Sequence, residues 1–423
     1  MVEIMAKKET KAIETLEIDN FLSIKHIKCK FSHFNIISGD MAAGKSLCIK
    51  LMNFFEDIVP DLLIAPYDHF IKNLKKDYLF NYLAGKFVEI FYISPLGKNK
   101  PTPFKIKYTF SFEENKFTIT IKGSGIRDVT FESVSLESLL KEWNNYTEKI
   151  SINVPDKATY DGFKEMKHYF HNKLQKKFGG CFPVKAAFIP ASRAALTLST
   201  DYTDYYLRKY NAFTNNLPLR KCRNQKAVEI ILKAKININI EDTIYLDSAD
   251  GRRVPLAKAS SGQQEGAYFL MHLDRLGNYG YTYGKTQSIF IEEPSAYLSP
   301  KDEKQLIEFI VEIYNRQKDT DIPIRFFITT YSLYIINSLN NMLEKGDIIE
   351  NYDEQEGKIN RKIKIPPLRA DEVSAYYISN KGRGKNILIN NQIQADEITK
   401  VSGTIEKDEE ELSQLKYDLS KEY

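Results

Sequence analysis

Early in the chain the spacing of apolar residues changes from that of a strand to that of a helix. Phe34, Ile36 and Ile37 form a short strand-like run, and after a glycine-rich break Leu47, Leu51, Phe54 and Ile58 recur at spacings of four, three and four. Before this switch, Leu16 to Phe31 reads as a strand pair turning at Asn20-Phe21. After it, alternation over Phe87–Ile93, Phe104–Phe112 and Lys116–Ile121 predicts an antiparallel sheet reaching about Val134, with Pro95, Gly97, Pro101 and Pro103 marking one of its turns. Helical spacing runs from about Leu136 to Lys177 and again from about Tyr202 to Ala234, on either side of an apolar strand at Val184–Ile189. A hairpin is expected over Asp242–Pro255, turning at Asp250-Gly251.

The second half alternates more regularly. A helix is expected from about Gln264, a buried strand at Ser288–Ile291, a helix at about Lys301–Arg316, a strand at Ile324–Ile328 and a helix beginning near Ser332. Short strands at about Val373–Ile378 and Asn386–Ile389 follow, then an acidic helical stretch at Glu406–Leu419. Helices alternating with apolar strands define an α/β protein. There is no internal repeat and no low-complexity linker.

Composition narrows the class only modestly. With 423 residues, 43% of them hydrophobic and 27% charged, the chain reads as globular and long enough for about two or three domains. No apolar run approaches bilayer length, and Met1–Lys8 lacks the core of a signal peptide, so no membrane partner and a cytoplasmic location are expected. Cys29, Cys48, Cys181 and Cys222 are scattered, which indicates neither a disulfide framework nor a zinc site. A formal charge of +4 does not by itself argue for nucleic acid. The basic clusters Lys72/Lys75/Lys76, Lys173/Lys176/Lys177 and Arg220/Lys221/Arg223/Lys226 read first as solvated faces, with nucleic-acid contact left open. His168 and His171 lack a third ligand at sensible spacing and read as a surface pair.

The chemistry enters at the glycine-rich break. Gly39-Asp40-Met41-Ala42-Ala43-Gly44-Lys45-Ser46 is a complete phosphate-binding loop between a strand and a helix. Successive backbone N–H groups and a helix N-terminus would surround a polyphosphate, a cradle running from Gly39 to Leu47. Lys45 would reach the β- and γ-phosphates and Ser46 the Mg²⁺, so ATP and Mg²⁺ are the expected cofactors. An ordinary glycine turn before a helix is the bland alternative.

Two further stretches bear on the same chemistry. Ser260-Ser261-Gly262-Gln263-Gln264-Glu265 stands just before an apolar helix, where a hydroxyl and bare N–H groups suit an anion, or where Ser261 is simply an N-cap. Ser288-Ile289-Phe290-Ile291-Glu292-Glu293-Pro294 is a buried strand ending in two carboxylates, which are costly there without a cation or hydrogen bonds. Glu292 would hold Mg²⁺ through water, and Glu293 would orient and deprotonate an attacking water.

In chain order these are a phosphate loop, a Ser-Ser-Gly-Gln-Gln helix start, an acid pair and a strand closing on Thr329-Thr330-Tyr331-Ser332. As a set they resemble the ABC-class ATPases. Within that class the chain looks most like the OLD-like and RecF-like branch, where Glu-Glu-Pro-x-Ala-x-Leu-x-Pro and Thr-Thr-His-Ser-Pro-Tyr-Ile-Leu recur. The corresponding stretches here run from Glu292 to Pro300 and from Thr329 to Ile336, and Phe188–Arg193 is similar to the branch where its Q-loop would lie.

The resemblance implies an ABC-type head over residues 1–345, with a phosphate-loop core sheet, an antiparallel β subdomain and helical insertions at about 136–180 and 202–235. A small α+β C-terminal extension would occupy 346–423. Protomers of this family pack head to tail, so Ser261, Gly262 and Gln264 would serve the partner's ATP in a homodimer or higher homo-oligomer. Arg193 would touch a γ-phosphate or the subunit boundary, or else form a surface salt bridge. Asn20 and Phe21 would approach the adenine, unless Phe21 is core.

Tyr331 stands where the family has a switch histidine. A phenol donates one hydrogen bond to a γ-phosphate but no cationic one near neutral pH, so slow hydrolysis is expected from Glu292, Glu293 and Tyr331. The stretch Leu136–Lys177 could reach at most ~60 Å as one helix, too short for a chromosome-organising coiled coil. No Asp-x-Asp pair follows Lys345, so no fused TOPRIM nuclease is expected. ATPases of this look without a fused nuclease occur in bacterial antiphage systems, among them PARIS, Septu and retron-associated ATPases. The resemblance therefore implies a separate effector, a TOPRIM-type nuclease or toxin, and a phage-encoded trigger. A RecF-like DNA-repair ATPase, supported by the Arg220–Lys226 cluster, and a nucleotide-locked scaffold stay open beside it.

Overall fold

Four strands of the central sheet are buried along their whole length, on both faces. The structure, a computed structural model, describes residues 12–69, 75–91, 102–124, 128–153, 169, 172–178, 185–193, 205–206, 208, 225–239, 243–276, 287–296, 298–318, 320, 323–352 and 356–394. Strands β1 (Ile13–Phe21) and β2 (Ile24–Phe31) form a hairpin, and β3 (Phe34–Gly39) runs through the phosphate loop into α1 (Lys45–His69). Helix α2 (Lys76–Phe91) precedes the antiparallel strands β4 (Phe104–Phe112), β5 (Asn115–Gly123) and β6 (Thr130–Glu132), and α3 (Val134–Asn153) follows them. Beyond β7 (Lys185–Ile189) and α4 (Gln225–Leu232) lie β8 (Ala234–Ile238), β9 (Ile244–Ser248), β10 (Arg253–Pro255) and α5 (Ser261–Leu276). The alternation then reads β11 (Gln287–Glu292), α6 (Pro300–Gln317), β12 (Ile324–Thr330), α7 (Leu333–Asn351), β13 (Val373–Ile378) and β14 (Gly384–Asn386).

This is an α/β fold. Its six-stranded sheet has the order β14-β13-β3-β12-β11-β7, parallel except for the edge strand β14. Phe34, Ile36, Ile289, Ile291, Phe326 and Ile328 face one core with α4, α5, α6 and α7. Ile37, Phe290 and Phe327 face a second core with α1, α2 and the antiparallel sheet β2-β1-β4-β5-β6. Strands covered on both sides read as near-continuous apolar runs, which is why β3, β11 and β12 are evident in sequence.

The structure corrects several expectations. Phe87 belongs to helix α2, because Leu79, Leu83, Phe87 and Phe91 are all buried at four-residue spacing. The first hairpin turns at Leu22-Ser23, after a left-handed Asn20 (φ 53°), and Phe21 stays in β1. Phe21 packs its ring 4.9 Å from Phe104 and 5.5 Å from Phe87, so it is core and not an adenine contact. Helix α4 stops at Leu232, and the alternating Ala234–Ile238 instead forms β8 against β9. Helix α5 begins one turn earlier than expected, capped by the Ser260 hydroxyl, which accepts from Gln263 N–H at 3.4 Å.

The domain boundary expected at residue 345 falls inside α7, and the chain beyond it returns to the main sheet. Strand β13 lies beside β3 with Ile378 opposite Gly39. Two strands of the expected C-terminal extension, β13 and β14, are therefore part of the phosphate-loop sheet, while Leu388–Ile389 and Gln392–Ile393 pair as a separate hairpin. The acidic stretch Glu406–Leu419, His168, His171, Cys181, Cys222, Lys72 and Arg220–Arg223 lie outside the described residues.

A buried ionic cluster ties the layers together beneath the site. Arg325, at the start of β12, donates to Glu14 of β1 and Glu56 of α1, both at 2.6 Å, and to Ser288 of β11 at 2.9 Å. Tyr108 of β4 donates to the other oxygen of Glu14. Burial pushes the Glu56 carboxyl up to about 8, against the pull of Arg325, from 4.5 for a free side chain. The native state therefore holds a proton on Glu56 that the unfolded chain releases above about pH 4.5. Stability from this group is complete below that pH and is lost as pH rises through about 8. Glu56→Gln, which copies the protonated form, is expected to flatten the fall in urea midpoint between pH 5 and 8 and to exceed wild type at the alkaline end. An unchanged slope in the variant would refute this account of the cluster.

Candidate nucleotide site

The parallel strands deliver four loops to one edge of the sheet, beyond the carboxyl ends of β3, β12, β11 and β7. That edge is where open α/β sheets hold ligands. The phosphate loop (39–46) joins β3 to α1. Among the described residues no hydrogen bond takes the N–H groups of Gly44, Lys45 or Ser46, while Cys48 N–H bonds to Gly44 O at 3.0 Å. These are the free donors of a helix N-terminus. Gly39 (φ 150°) and Gly44 (φ 110°) give the loop its shape. A Cβ on Gly39 would sit 2.2 Å from Ile378 O, the backbone of β13. Gly39→Ala is accordingly expected to destabilise the protein by about 2 kcal/mol or more, measured by urea unfolding.

The lysine lies inside the loop. Lys45 is buried and its Nζ donates to Gly39 O at 2.9 Å and Asp40 O at 3.0 Å. It also stands 3.7 Å from Glu293 Oε1 and 5.9 Å from the centre of the Tyr331 ring. Asp40 plays a different part from the one expected of it. Its carboxylate accepts from Tyr377 Oη at 2.8 Å and Asn380 N–H at 2.7 Å, and its own N–H bonds to Ile378 O at 3.2 Å. Asp40 thus anchors the loop to β13. The Met41 side chain is 91% exposed, so only its backbone belongs to the cradle.

The acid pair lies at the end of β11, with Glu292 its last residue and Glu293 the next. Glu292 Oε2 accepts from Ala191 N–H at 3.0 Å, and Oε1 lies 3.5 Å from Lys50 Nζ, one helical turn beyond the phosphate loop. Glu293 is left-handed (φ 42°), and its N–H bonds to Thr329 O at 3.1 Å and Thr329 Oγ1 at 3.2 Å. Burial raises the Glu293 carboxyl, while Lys45 and the Tyr331 backbone pull it down. A carboxyl above its usual range, beside a cation, has the character of a general base.

For Mg²⁺, the donor set fits. Glu292 Oε1 and Glu293 Oε2 are buried oxygens that accept no hydrogen bond among the described residues. Glu292 Oε1 and the Ser46 hydroxyl are hard ligands, as Mg²⁺ requires, and the open Glu293 Oε2 is left for a water. No group of three or more His, Cys, Asp or Glu among the described residues could hold a metal by itself. Phosphate and water would complete the shell, as Mg²⁺ favours.

Ser261, Gly262 and Gln264 are placed elsewhere. They open α5, which packs on the sheet face opposite α1, and among the described residues no hydrogen bond or ion pair joins them to the phosphate loop. Ser261 is exposed. Gln264 turns its amide back to Ala257 O at 3.2 Å and Ala259 O at 2.9 Å, so its side chain braces the turn before the helix.

Arg193 matches neither expectation. It is 3% exposed, donates to the backbone carbonyls of Glu292 (2.9 Å) and Glu293 (3.1 Å), and pairs with Glu265 at 2.8 Å. Its guanidinium therefore braces the acid pair from behind. Lys50 and Glu265 went unpredicted because only the folded chain brings them to Glu292 and Arg193. One lysine of each of two basic clusters is paired locally, Lys76 2.7 Å from Glu137 and Lys173 2.7 Å from Glu142.

Residues 203–336 match the family model described as an AAA ATPase domain. The match covers the signature stretch, the acid pair and Tyr331, whereas the phosphate loop lies before it. No curated protein matches the sequence. Among solved structures, the SMC head domain from Thermotoga maritima is similar at TM-score 0.37 and 10% identity, covering 77% of this chain and 91% of that one. An SmcHead bound to the C-winged helix domain of ScpA gives TM-score 0.36 and 14% identity over 77% and 91%. The Smc head domain with an extended coiled coil, bound to the C-terminal domain of ScpA derived from Pyrococcus furiosus, gives 0.37 and 12% over 94% and 100%. No described helix is long and apolar enough to cross a membrane.

Proposed function

We propose that this chain is a Mg²⁺-dependent, slowly hydrolysing ATPase of the ABC class, OLD-like and RecF-like branch, whose protomers close around shared nucleotides. The observation that carries this reading is the Lys45 ammonium, held in a glycine-rich loop at a helix N-terminus and facing Glu293 at 3.7 Å. Lys45 would exchange two loop carbonyls for the β- and γ-phosphates, a move of donors already in place. Ser46 and Glu292 would hold Mg²⁺, which supplies neutralisation of charge across the phosphate oxygens. Glu293 would orient water and take its proton, and Tyr331 Oη would donate to the γ-phosphate. Ser261 and Gly262 make no hydrogen bond to their own phosphate loop among the described residues, which leaves them open to a partner's nucleotide.

The effector-gating role in antiphage defence rests on resemblance in the motifs alone. A DNA-binding repair role draws no support from Lys76 and Lys173, which are paired with glutamates. The test has two parts. ATP with Mg²⁺ should convert monomer to dimer in light scattering, and Ser261→Arg should abolish this without loss of ATP binding to the monomer. Co-expression with neighbouring genes should recover a nuclease or toxin bound to the ATPase. A monomer at saturating ATP would defeat the sandwich reading, and recovery of no such partner would defeat the gating role.

A further inference from the structure

The acid pair and the signature helix of one chain are joined by one buried arginine. Glu293 adopts a left-handed backbone that a non-glycine residue keeps only when its surroundings enforce it. On the β12 side Thr329 holds its N–H. Its carbonyl, and that of Glu292, are held by the two terminal nitrogens of Arg193. Arg193 is in turn held by α5. Glu265, four residues after Ser261, pairs with it at 2.8 Å, and the Phe269 ring lies 4.9 Å beneath its guanidinium. Glu265 and Phe269 are a turn apart on one face of α5, so a shift of this helix start moves both supports together.

We propose that Arg193 is a positioning residue that sets the backbone of Glu293 according to where the signature helix stands. The inference rests on the sandwich ATPase reading. In that arrangement the start of α5 engages the nucleotide of the partner, while Glu293 serves the nucleotide bound by its own chain. Arg193 spans the two, so turnover at one site depends on engagement at the other. The planar fork is essential to this role. It reaches two successive carbonyls and one carboxylate at once, which an ammonium cannot do. Both partners of the ion pair are nearly fully buried, so its placement is not relaxed by solvent.

Removal of Arg193 leaves Glu265 buried without its cation and risks unfolding, so the decisive variants are Arg193→Lys and Glu265→Gln. Each is measured for ATP affinity, ATP-dependent dimerisation, turnover, its pH profile and the Hill coefficient in ATP. The expected result is ATP affinity within about threefold of wild type, intact dimers, and turnover lowered at least about tenfold. The acidic limb of the pH profile, which reports Glu293, should shift, and the Hill coefficient should fall towards one. Turnover, pH profile and Hill coefficient all unchanged in folded Glu265→Gln would overturn the inference alone. So would a loss confined to ATP affinity or to folding. A wild-type protein without turnover, or with turnover indifferent to Lys45→Ala, would overturn the ATPase reading and this inference with it.

Discussion

Glu293→Gln is expected to keep ATP bound while lowering turnover by about 10²- to 10⁴-fold, the range for loss of a positioned general base. The substitution is nearly isosteric, so the left-handed backbone and its bonds to Thr329 and Arg193 are retained. What is lost is an acceptor of protons whose carboxyl burial has raised above its usual range. Two consequences distinguish this from a general disturbance of the site. Wild-type turnover should fall as pH drops through the raised value for Glu293, and the variant should lack that limb. The ATP-bound dimer should also accumulate, since hydrolysis no longer dissolves it. Single-turnover kinetics with light scattering measures both. Comparable rates in wild type and variant would show that Glu293 does not act on water.

Lys45→Ala is expected to weaken ATP binding at least about 100-fold, because two charge-assisted bonds to phosphate disappear together. The lysine has a second task that makes the effect larger. It is the cation paired with the Glu293 carboxylate, and it pulls down a carboxyl that burial pushes up. Without it the Glu293 carboxylate loses that partner, while Lys50 still faces Glu292. Residual turnover at saturating ATP should therefore have its acidic limb displaced upward as well as a lower maximum. Calorimetric titration with ATP and Mg²⁺ checks the affinity. Unaltered binding would remove the phosphate loop from the account.

Much of the candidate site was legible because its motifs are contiguous. The phosphate loop and the acid pair each occupy one short run, and the strands that present them, β3 and β11, are apolar on both faces. Their placement at one sheet edge follows from parallel pairing. What stayed hidden depends on contacts between distant residues. Glu265 reads as one more polar position in an amphipathic helix until α5 packs against the loop after β7. Asp40 reads as a loop residue open to ligand until β13 arrives with Tyr377 and Asn380. Helix α2 was misread because Phe87–Ile93 alone also alternates, and only the four-residue series from Leu79 shows the helix. The boundary at residue 345 was misplaced because pattern reveals a strand but not its neighbours.

The union of β13 with β3 has a consequence for how the protein is made. The loop that would grip phosphate is made well before the two groups that clamp its Asp40, the Tyr377 hydroxyl, 337 residues later, and the Asn380 N–H. Until that stretch emerges, the nascent protein lacks the support that shapes its loop. On the proposed reading, competence for nucleotide would therefore wait until β13 and the turn after it have been made.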